Sequence, residues 1–227
     1  MIRLYVGADP RESVGLHVFI QSVMDTTTRP VAITPLYKPM LHHAVGDVRE
    51  GSNQFTMSRF LIPFLEGYKG WAIFADGADM LCKGDLHDLG QLYDPWKAVQ
   101  VVKHSYTSRN PRKYIGTEME SDNKDYPRKN WASLMLINCE HPSWRKLTPE
   151  YFRTASPLQI LSFDWLHDGE IGEIPTTWNW LVDEFGPNPL AKILHWTAGI
   201  PGFPAYAEAW HADEWRQTLR DVNYATP

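Results

Sequence analysis

The sequence predicts an α/β protein, with a mostly parallel central sheet flanked by helices in a single domain over residues 1–227. Two observations carry this. The chain opens as strand, turn, helix, strand, the start of a doubly wound domain. Later, residues 71–75 and 131–138 are apolar along almost their whole length. Runs this short suit strands covered on both faces.

In order, residues 2–6 form the first predicted strand, and Gly7-Ala8-Asp9-Pro10 breaks it. The Gly-x-Gly-x-x-Gly dinucleotide fingerprint is absent there. Small residues with Asp9 suit either a plain capped turn or the lining of a nucleoside pocket. A helix is predicted over 12–25, with Val14, Val18, Phe19 and Val23 near one face. A second strand covers 31–36. Residues 41–54 are polar and irregular, and the adjacent His42 and His43 are not paired as ligands. A helix over 56–66 is kinked or divided at Pro63. A helix over 84–92 follows the strand at 71–75, and a further strand covers 98–103. Residues 105–129 are charged and aperiodic, as in a functional lid. Asn130 precedes the strand at 131–138 and Asn138 ends it, each a candidate for sugar hydroxyls or for satisfying a strand end. Helical pieces at 149–154 and 157–168 lead to strands at 172–174 and 192–196. The turn 197–202 leads to an amphipathic helix over 205–222, with Trp210, Trp215 and Leu219 inward.

Composition bounds the function. With 227 residues, 43% of them hydrophobic, the chain can bury a sizeable core. A net charge of −5 gives no broad footprint for nucleic acid. Lys103, Arg109, Arg112, Lys113, Lys124, Arg128 and Lys129 do cluster, as a solvated face or as a patch for an anionic ligand or acceptor. Cys82 and Cys139 lack metal-ligand spacing and read as buried free thiols. No signal-peptide pattern and no apolar run of about 18 residues occurs, so a cytoplasmic protein without a membrane span is expected.

The most informative stretch is 71–86. Its apolar run stops at Asp76-Gly77-Ala78-Asp79. Ionised carboxylates suit a hard divalent cation, and glycine lets a phosphate or backbone approach closely. Ligands of open α/β sheets sit beyond the carboxyl ends of strands. The plainer reading is an Asp-Gly turn with Asp79 as a helix cap. Arg59 is a cation among apolar residues, reaching either water or these carboxylates.

Several motifs occur in a telling order. They are residues 57–63, Asp76-Gly77-Ala78-Asp79 with Gly84-Asp85-Leu86, residues 133–138, Trp178-Asn179, and Leu194-His195-Trp196-Thr197 before Gly199 and Pro201. In these, from about residue 2 to 206, the chain resembles the glycogenin-like retaining glycosyltransferases of family eight, which have the GT-A fold. The resemblance implies a Rossmann-like sheet, a nucleoside-diphosphate sugar donor, UDP-linked, and Mn2+ or Mg2+. It implies transfer of a hexose to the hydroxyl of a glycan or other acceptor, a hexosyltransferase activity. The metal ligands it implies are Asp76, Asp79 and His195. Asp79 matches the second Asp of the family's Asp-x-Asp motif, whereas the first falls on Gly77, with Asp76 one residue early. Gly7, Ala8 and Asp9 match the nucleoside-binding turn, and Asp76, Gly77 and Gly199 flank the donor. Arg59 matches an Arg near the diphosphate. The family's Lys after the late His is missing from Gly199-Ile200-Pro201-Gly202, where backbone N–H groups would substitute. Asp164 lies where the family carries a polar residue below the sugar, a sugar-binding or catalytic candidate. Trp178 and Asn179 would shape the acceptor side. The alternatives are a sugar nucleotidyltransferase and a non-catalytic glycan-binding module with a degenerate site. Modified DNA bases are a further acceptor class, disfavoured by the net charge.

Overall fold

The first strand, β1 (Ile2–Gly7), alternates Leu4 and Val6 with Tyr5, all buried. The computed structural model describes residues 1–38 and 55–223, so the reading of 41–54, with His42 and His43, lies outside the described residues. After β1 come α1 (Ser13–Thr26), β2 (Val31–Leu36), β3 (Trp71–Ala75), β4 (Met80–Cys82) and β5 (Val99–Val101). They are followed by β6 (Arg112–Lys113), β7 (Ser121–Asp122), β8 (Leu134–Asn138), β9 (Ile171–Glu173), β10 (Trp180–Leu181) and β11 (Ile193–His195).

Six strands form one mixed sheet in the order β2-β1-β3-β8-β5-β9. All its pairings are parallel except those of β8, which runs antiparallel to β3 and β5. The predicted α/β class and mostly parallel sheet are present. Residues on alternate sides of these strands feed two cores. Tyr5, Phe74, Val101, Met135 and Ile137 pack on one face; Leu4, Val6, Ile73, Leu134 and Leu136 pack on the other with Phe19 and Val23 of α1. Burial on both faces explains why β3 and β8 read as unbroken apolar runs. Each large side chain so buried contributes about 1.5–3 kcal/mol relative to exposure.

A second sheet, β10-β11-β4, packs with α1 and the helix Ala212–Asn223 around Leu81, Leu194, Trp196 and Trp215. Its antiparallel β4–β11 pairing sets His195 opposite Met80, and Trp196 N donates to Asp79 O at 2.9 Å. Two motifs more than a hundred residues apart are thereby brought together.

Several predicted elements differ. Val14 is exposed, because α1 starts after a 3-10 turn at Pro10–Glu12 and turns Val18, Phe19 and Val23 inward instead. The helix predicted over 56–66 is a 3-10 turn, Ser58–Leu61, then one α turn, Ile62–Leu65, with Pro63 in its first turn, where its missing N–H is not needed. The piece predicted over 157–168 ends at Leu161, and Phe163 takes a left-handed φ of 56°. The last helix starts at Ala212, so Trp210 precedes it and is 61% exposed, while Trp215 is buried. Both cysteines are free and buried. Among the described residues no helix is long and apolar enough to cross a membrane.

Candidate functional site

At the carboxyl ends of β1 and β3 the chain gathers its buried charges. β3 ends at Ala75, and Asp76 N donates to Ser133 O at 2.8 Å, tying the turn to the start of β8. Gly77 closes the turn with a left-handed φ of 77°, and an added Cβ would lie 2.2 Å from Val6 Cγ1. Glycine is therefore required there by conformation and by the close approach of β1. α1 crosses the same turn through Gly15, where a Cβ would meet Ala78 O at 1.9 Å. That contact seats Glu12, at the entry to α1, among the acids of the turn.

Asp76, Asp79 and His195 each present a ligand atom, and the three lie within 4.8 Å of one another. Asp79 and His195 are buried. His195 is held from behind by Asn179. Ser133 Oγ donates to Asn130 O at 2.7 Å, so it accepts from Asn179 Nδ2 at 2.8 Å. Asn179 Oδ1 therefore faces His195 Nδ1 at 2.9 Å and accepts its proton. With Nδ1 protonated, the neutral ring presents a bare Nε2 at 3.3 Å from Asp79 Oδ2, and the charged ring donates to it. Two acceptors face each other, a geometry that calls for a proton or a cation between them. Asp79 Oδ1 is also buried without a hydrogen-bond partner among the described residues. Two carboxylates and an imidazole suit Mg2+ or a first-row divalent ion, so the residues present fit the expected metal.

Arg59 reaches the carboxylates. Its Nη1 lies 2.6 Å from Asp76 Oδ1 and donates to Ala132 O at 2.7 Å, and its Nε donates to Thr56 O at 2.9 Å. Its guanidinium stacks over Phe74, 4.7 Å from the ring centroid. Removing one partner of a buried pair such as Arg59–Asp76 costs about 3–5 kcal/mol. Burial pushes the Asp76 carboxyl up to about 6, with Arg59 opposing and Asp79 adding to the rise. Burial and then the charges of Asp79, Asp9 and Asp76 push Glu12 up to about 8. Burial alone would lower the His195 pKa; the charge and hydrogen bond of Asp79, with the charges of Asp76 and Asp183, together outweigh it and the net shift is upward.

Arg59, Asp76, Asp79 and His195 line a cleft of about 80 Å³ with Lys113, Tyr114, Tyr126, Asn130 and Thr197, and Glu12 lies outside that lining. Other expected residues stand elsewhere. Asp9 is buried, caps the 3-10 turn and pairs with Arg11 at 2.6 Å. Gly7 packs under the Phe55 ring and Gly199 under the Tyr206 ring. None of these, nor Ala8, is among the residues that line the cleft. Asp164 is exposed and also outside the cleft lining, because Phe163 ends the helix expected to carry it. Asn138 lies at the opposite end of β8. Trp178 and Asn179 are buried, and Asn179 Oδ1 faces His195 Nδ1. Glu12, Tyr114 and Tyr126 had no role legible in the sequence. A charge in the first turn of a helix beside a metal motif is the one signal that points to Glu12.

No protein-family model matches the chain. It is 37% identical over 230 residues to Protein CDI of Arabidopsis thaliana, covering 97% of this chain and 87% of that protein. The chain belongs to the Protein CDI family. Among solved structures it is similar to the WbbM bifunctional glycosyltransferase, with a TM-score of 0.67, 12% identity and 96% of this chain covered. This chain spans 49% of the WbbM chain. It is also similar to the galactosyltransferase LgtC in complex with donor and acceptor sugar analogues, with a TM-score of 0.59, 13% identity and coverage of 99% and 98%. A third is the glycosyltransferase GlyE of Streptococcus pneumoniae TIGR4, with a TM-score of 0.62, 13% identity and coverage of 96% and 60%. At these identities the likeness is one of fold, the GT-A fold of glycosyltransferases.

Proposed function

We propose that this Protein CDI relative is a metal-dependent glycosyltransferase of the glycogenin-like, retaining type. It moves a hexose from a nucleoside-diphosphate sugar, UDP-linked, to an acceptor hydroxyl. One observation carries the reading. In a glycosyltransferase fold, at the carboxyl edge of the sheet, Asn179 sets His195 so that Nε2 faces Asp79 across 3.3 Å. Asp76, Asp79 and His195 would hold Mn2+ or Mg2+. Such an ion, when bound, neutralises charge on a departing diphosphate as a Lewis acid. Arg59 holds Asp76 in place, and its fixed positive charge faces the region where the diphosphate leaves. Gly7, Ala8 and Asp9 border the path for the nucleoside. Asn130 lines the cleft with its Nδ2 donating to Tyr106 Oη at 2.8 Å, and its Oδ1 would accept from a sugar hydroxyl. Donor and acceptor sugars bound together in LgtC support a site of this class for both substrates. Asp164, exposed outside the cleft, has no part in this reading.

The test is donor cleavage. Purified protein is incubated with a panel of UDP- and GDP-sugars, with Mn2+ or with EDTA, and released nucleoside diphosphate is measured. Release from one UDP-sugar, abolished by EDTA, is expected. Release that EDTA leaves intact would overturn the metal reading. Glycan binding without cleavage of any donor would make the protein a binding module.

A further inference from the structure

The segment between β5 and β8 carries a cation to the cleft. β6 and β7 pair antiparallel, Arg112 with Asp122 and Lys113 with Ser121. Neighbouring side chains of a strand point to opposite faces. Arg112 is exposed and pairs with Glu120 and Asp122 at 2.8 and 3.1 Å. Lys113 points the other way, is half-buried, and lines the cleft with Asp76, Asp79 and His195.

The hairpin is anchored beside the metal ligands. Tyr114 is buried, and its N–H donates to Ala198 O at 2.6 Å. Ile115 N donates to Tyr206 Oη at 3.0 Å. Ala198 is held in turn by Asp183, whose Oδ2 accepts from its N–H at 2.9 Å. The other lysine that comes inward from this segment, Lys129, is engaged by Asn123 and Asp125 at 2.8 and 3.1 Å. Lys113 Nζ has no hydrogen bond or ion pair among the described residues, and its one ring contact is with Tyr114, 5.2 Å from the centroid. Burial lowers its pKa, while Asp79, Glu12 and Asp76 hold it up.

Charge balance says what this ammonium is for. Two carboxylates cancel a divalent cation, so Arg59, paired with Asp76, leaves the site one positive charge. A diphosphate entering the cleft brings at least two negative charges, and the turn Gly199-Ile200-Pro201-Gly202 contains no lysine to meet them. A cleft of about 80 Å³ holds an ion and a phosphate group, with the rest of a donor outside, since whole-ligand pockets are about 300–1,000 Å³. Lys113 therefore stands where the phosphates must pass.

We propose that Lys113 is a diphosphate-binding residue, supplying from the β6–β7 hairpin the positive charge that the turn after His195 lacks. This rests on the donor reading above. The test titrates UDP, GDP and uridine into wild-type protein, Lys113→Ala and Lys113→Arg at saturating Mn2+ by calorimetry, with Mn2+ binding alone followed by electron paramagnetic resonance. Lys113→Ala is expected to weaken the diphosphate about tenfold or more, the worth of one charge-assisted contact. Uridine and Mn2+ affinities should stay unchanged, and Lys113→Arg should stay within about threefold of wild type. Equal UDP and GDP affinities in Lys113→Ala and wild type would overturn the assignment and leave the donor reading standing. Parallel losses of uridine and diphosphate would also overturn it, as would failure of Lys113→Arg to restore binding. Wild-type protein that binds neither UDP nor GDP would overturn the donor reading and this assignment with it.

Discussion

The two ends of the central sheet treat buried polar groups in opposite ways. At the amino end of β3, Asn138 of β8 stands opposite Trp71. Its Nδ2 donates to Pro95 O at 2.9 Å and its Oδ1 accepts from Glu140 N at 3.1 Å. Trp144 Nε1 donates to Ala98 O at 3.1 Å. Glu140 Oε1 accepts from Gly70 N at 2.8 Å. At the carboxyl end of β3, Asp79 Oδ1 and Thr197 Oγ1 are buried without hydrogen-bond partners among the described residues, and Asp76 Oδ1 has only its ion pair with Arg59. The orphaned Trp165 Nε1, beside Trp144, is neutral; the cleft orphans include carboxylate oxygens. Leaving a buried charge unsatisfied costs stability, so a protein keeps such groups for a ligand. One apolar core thus supports an end that holds the fold and an end held open for chemistry.

The largest effect expected from this contrast is at the cleft. Asp79→Asn should cut metal-dependent turnover by at least about 100-fold. In EDTA its Tm should stay within about 3 °C of wild type, about 1 kcal/mol in a protein of this size. Mn2+ should raise the wild-type Tm and leave the variant's unmoved, since only a folded site binds the ion. Thermal unfolding with and without Mn2+, alongside the donor assay, checks all three. A variant that keeps its Mn2+ shift and turnover would place the two ends in the same class.

At the other end, Trp144→Phe should do the reverse. It removes a buried N–H and part of a bicyclic ring packed 4.8 Å from Trp165. The expected loss is about 1–3 kcal/mol, a Tm drop of roughly 2–12 °C. Donor KM and kcat per folded molecule should not change. Kinetics altered out of proportion to the folded fraction would show that this end reaches the cleft.

The same contrast decides what the sequence made legible. β3 and β8 were readable because burial on both faces leaves an unbroken apolar run. Asp76 and Asp79 stood out as carboxylates at the end of such a run, whereas Arg59 and His195 drew notice through the order of motifs; the fold brings the four together. β4 and β10, of 3 and 2 residues, are too short for any period to show. Helix ends failed where the backbone broke a rule of composition, as at the left-handed Phe163, which carries no glycine to announce it. Asn179 and Lys113 stood in the sequence as an acceptor-side residue and as one of a basic cluster. Their neighbours are set by tertiary packing: Asn179 meets Ser133 across 46 residues.

A smaller effect tests Glu12, whose burial belongs to the cleft end. Its carboxyl is raised from 4.5 to about 8, so the folded state keeps the proton longer than the unfolded chain does. The resulting stability is full below about pH 4.5 and is lost as pH rises through about 8. Glu12→Gln cannot lose a proton. In EDTA, its Tm should therefore exceed that of wild type by about 3 °C or more at pH 8.5, roughly 1 kcal/mol, with the gap closing toward pH 5. Parallel Tm curves across that range would remove Glu12 from the set of strained acids.

The smallest effect lies one residue from Lys113. Arg112 shares its strand, its charge and its sequence neighbourhood, and differs in the face it occupies. Its two carboxylate partners are themselves substantially exposed, Glu120 at 34% and Asp122 at 61% of the side chain. Water screens such pairs, and their worth is about 0–1 kcal/mol. Arg112→Ala should leave UDP affinity within about twofold of wild type, below the change that loss of one charge-assisted contact gives. Its Tm should move by no more than about 3 °C. The measurement is the UDP calorimetry used for Lys113, run on both alanine variants side by side. If Arg112→Ala weakened UDP as much as Lys113→Ala, the hairpin would act by its net charge. Unequal effects from adjacent lysine and arginine positions tie the binding to the one side chain that the alternation of β6 turns toward Asp79.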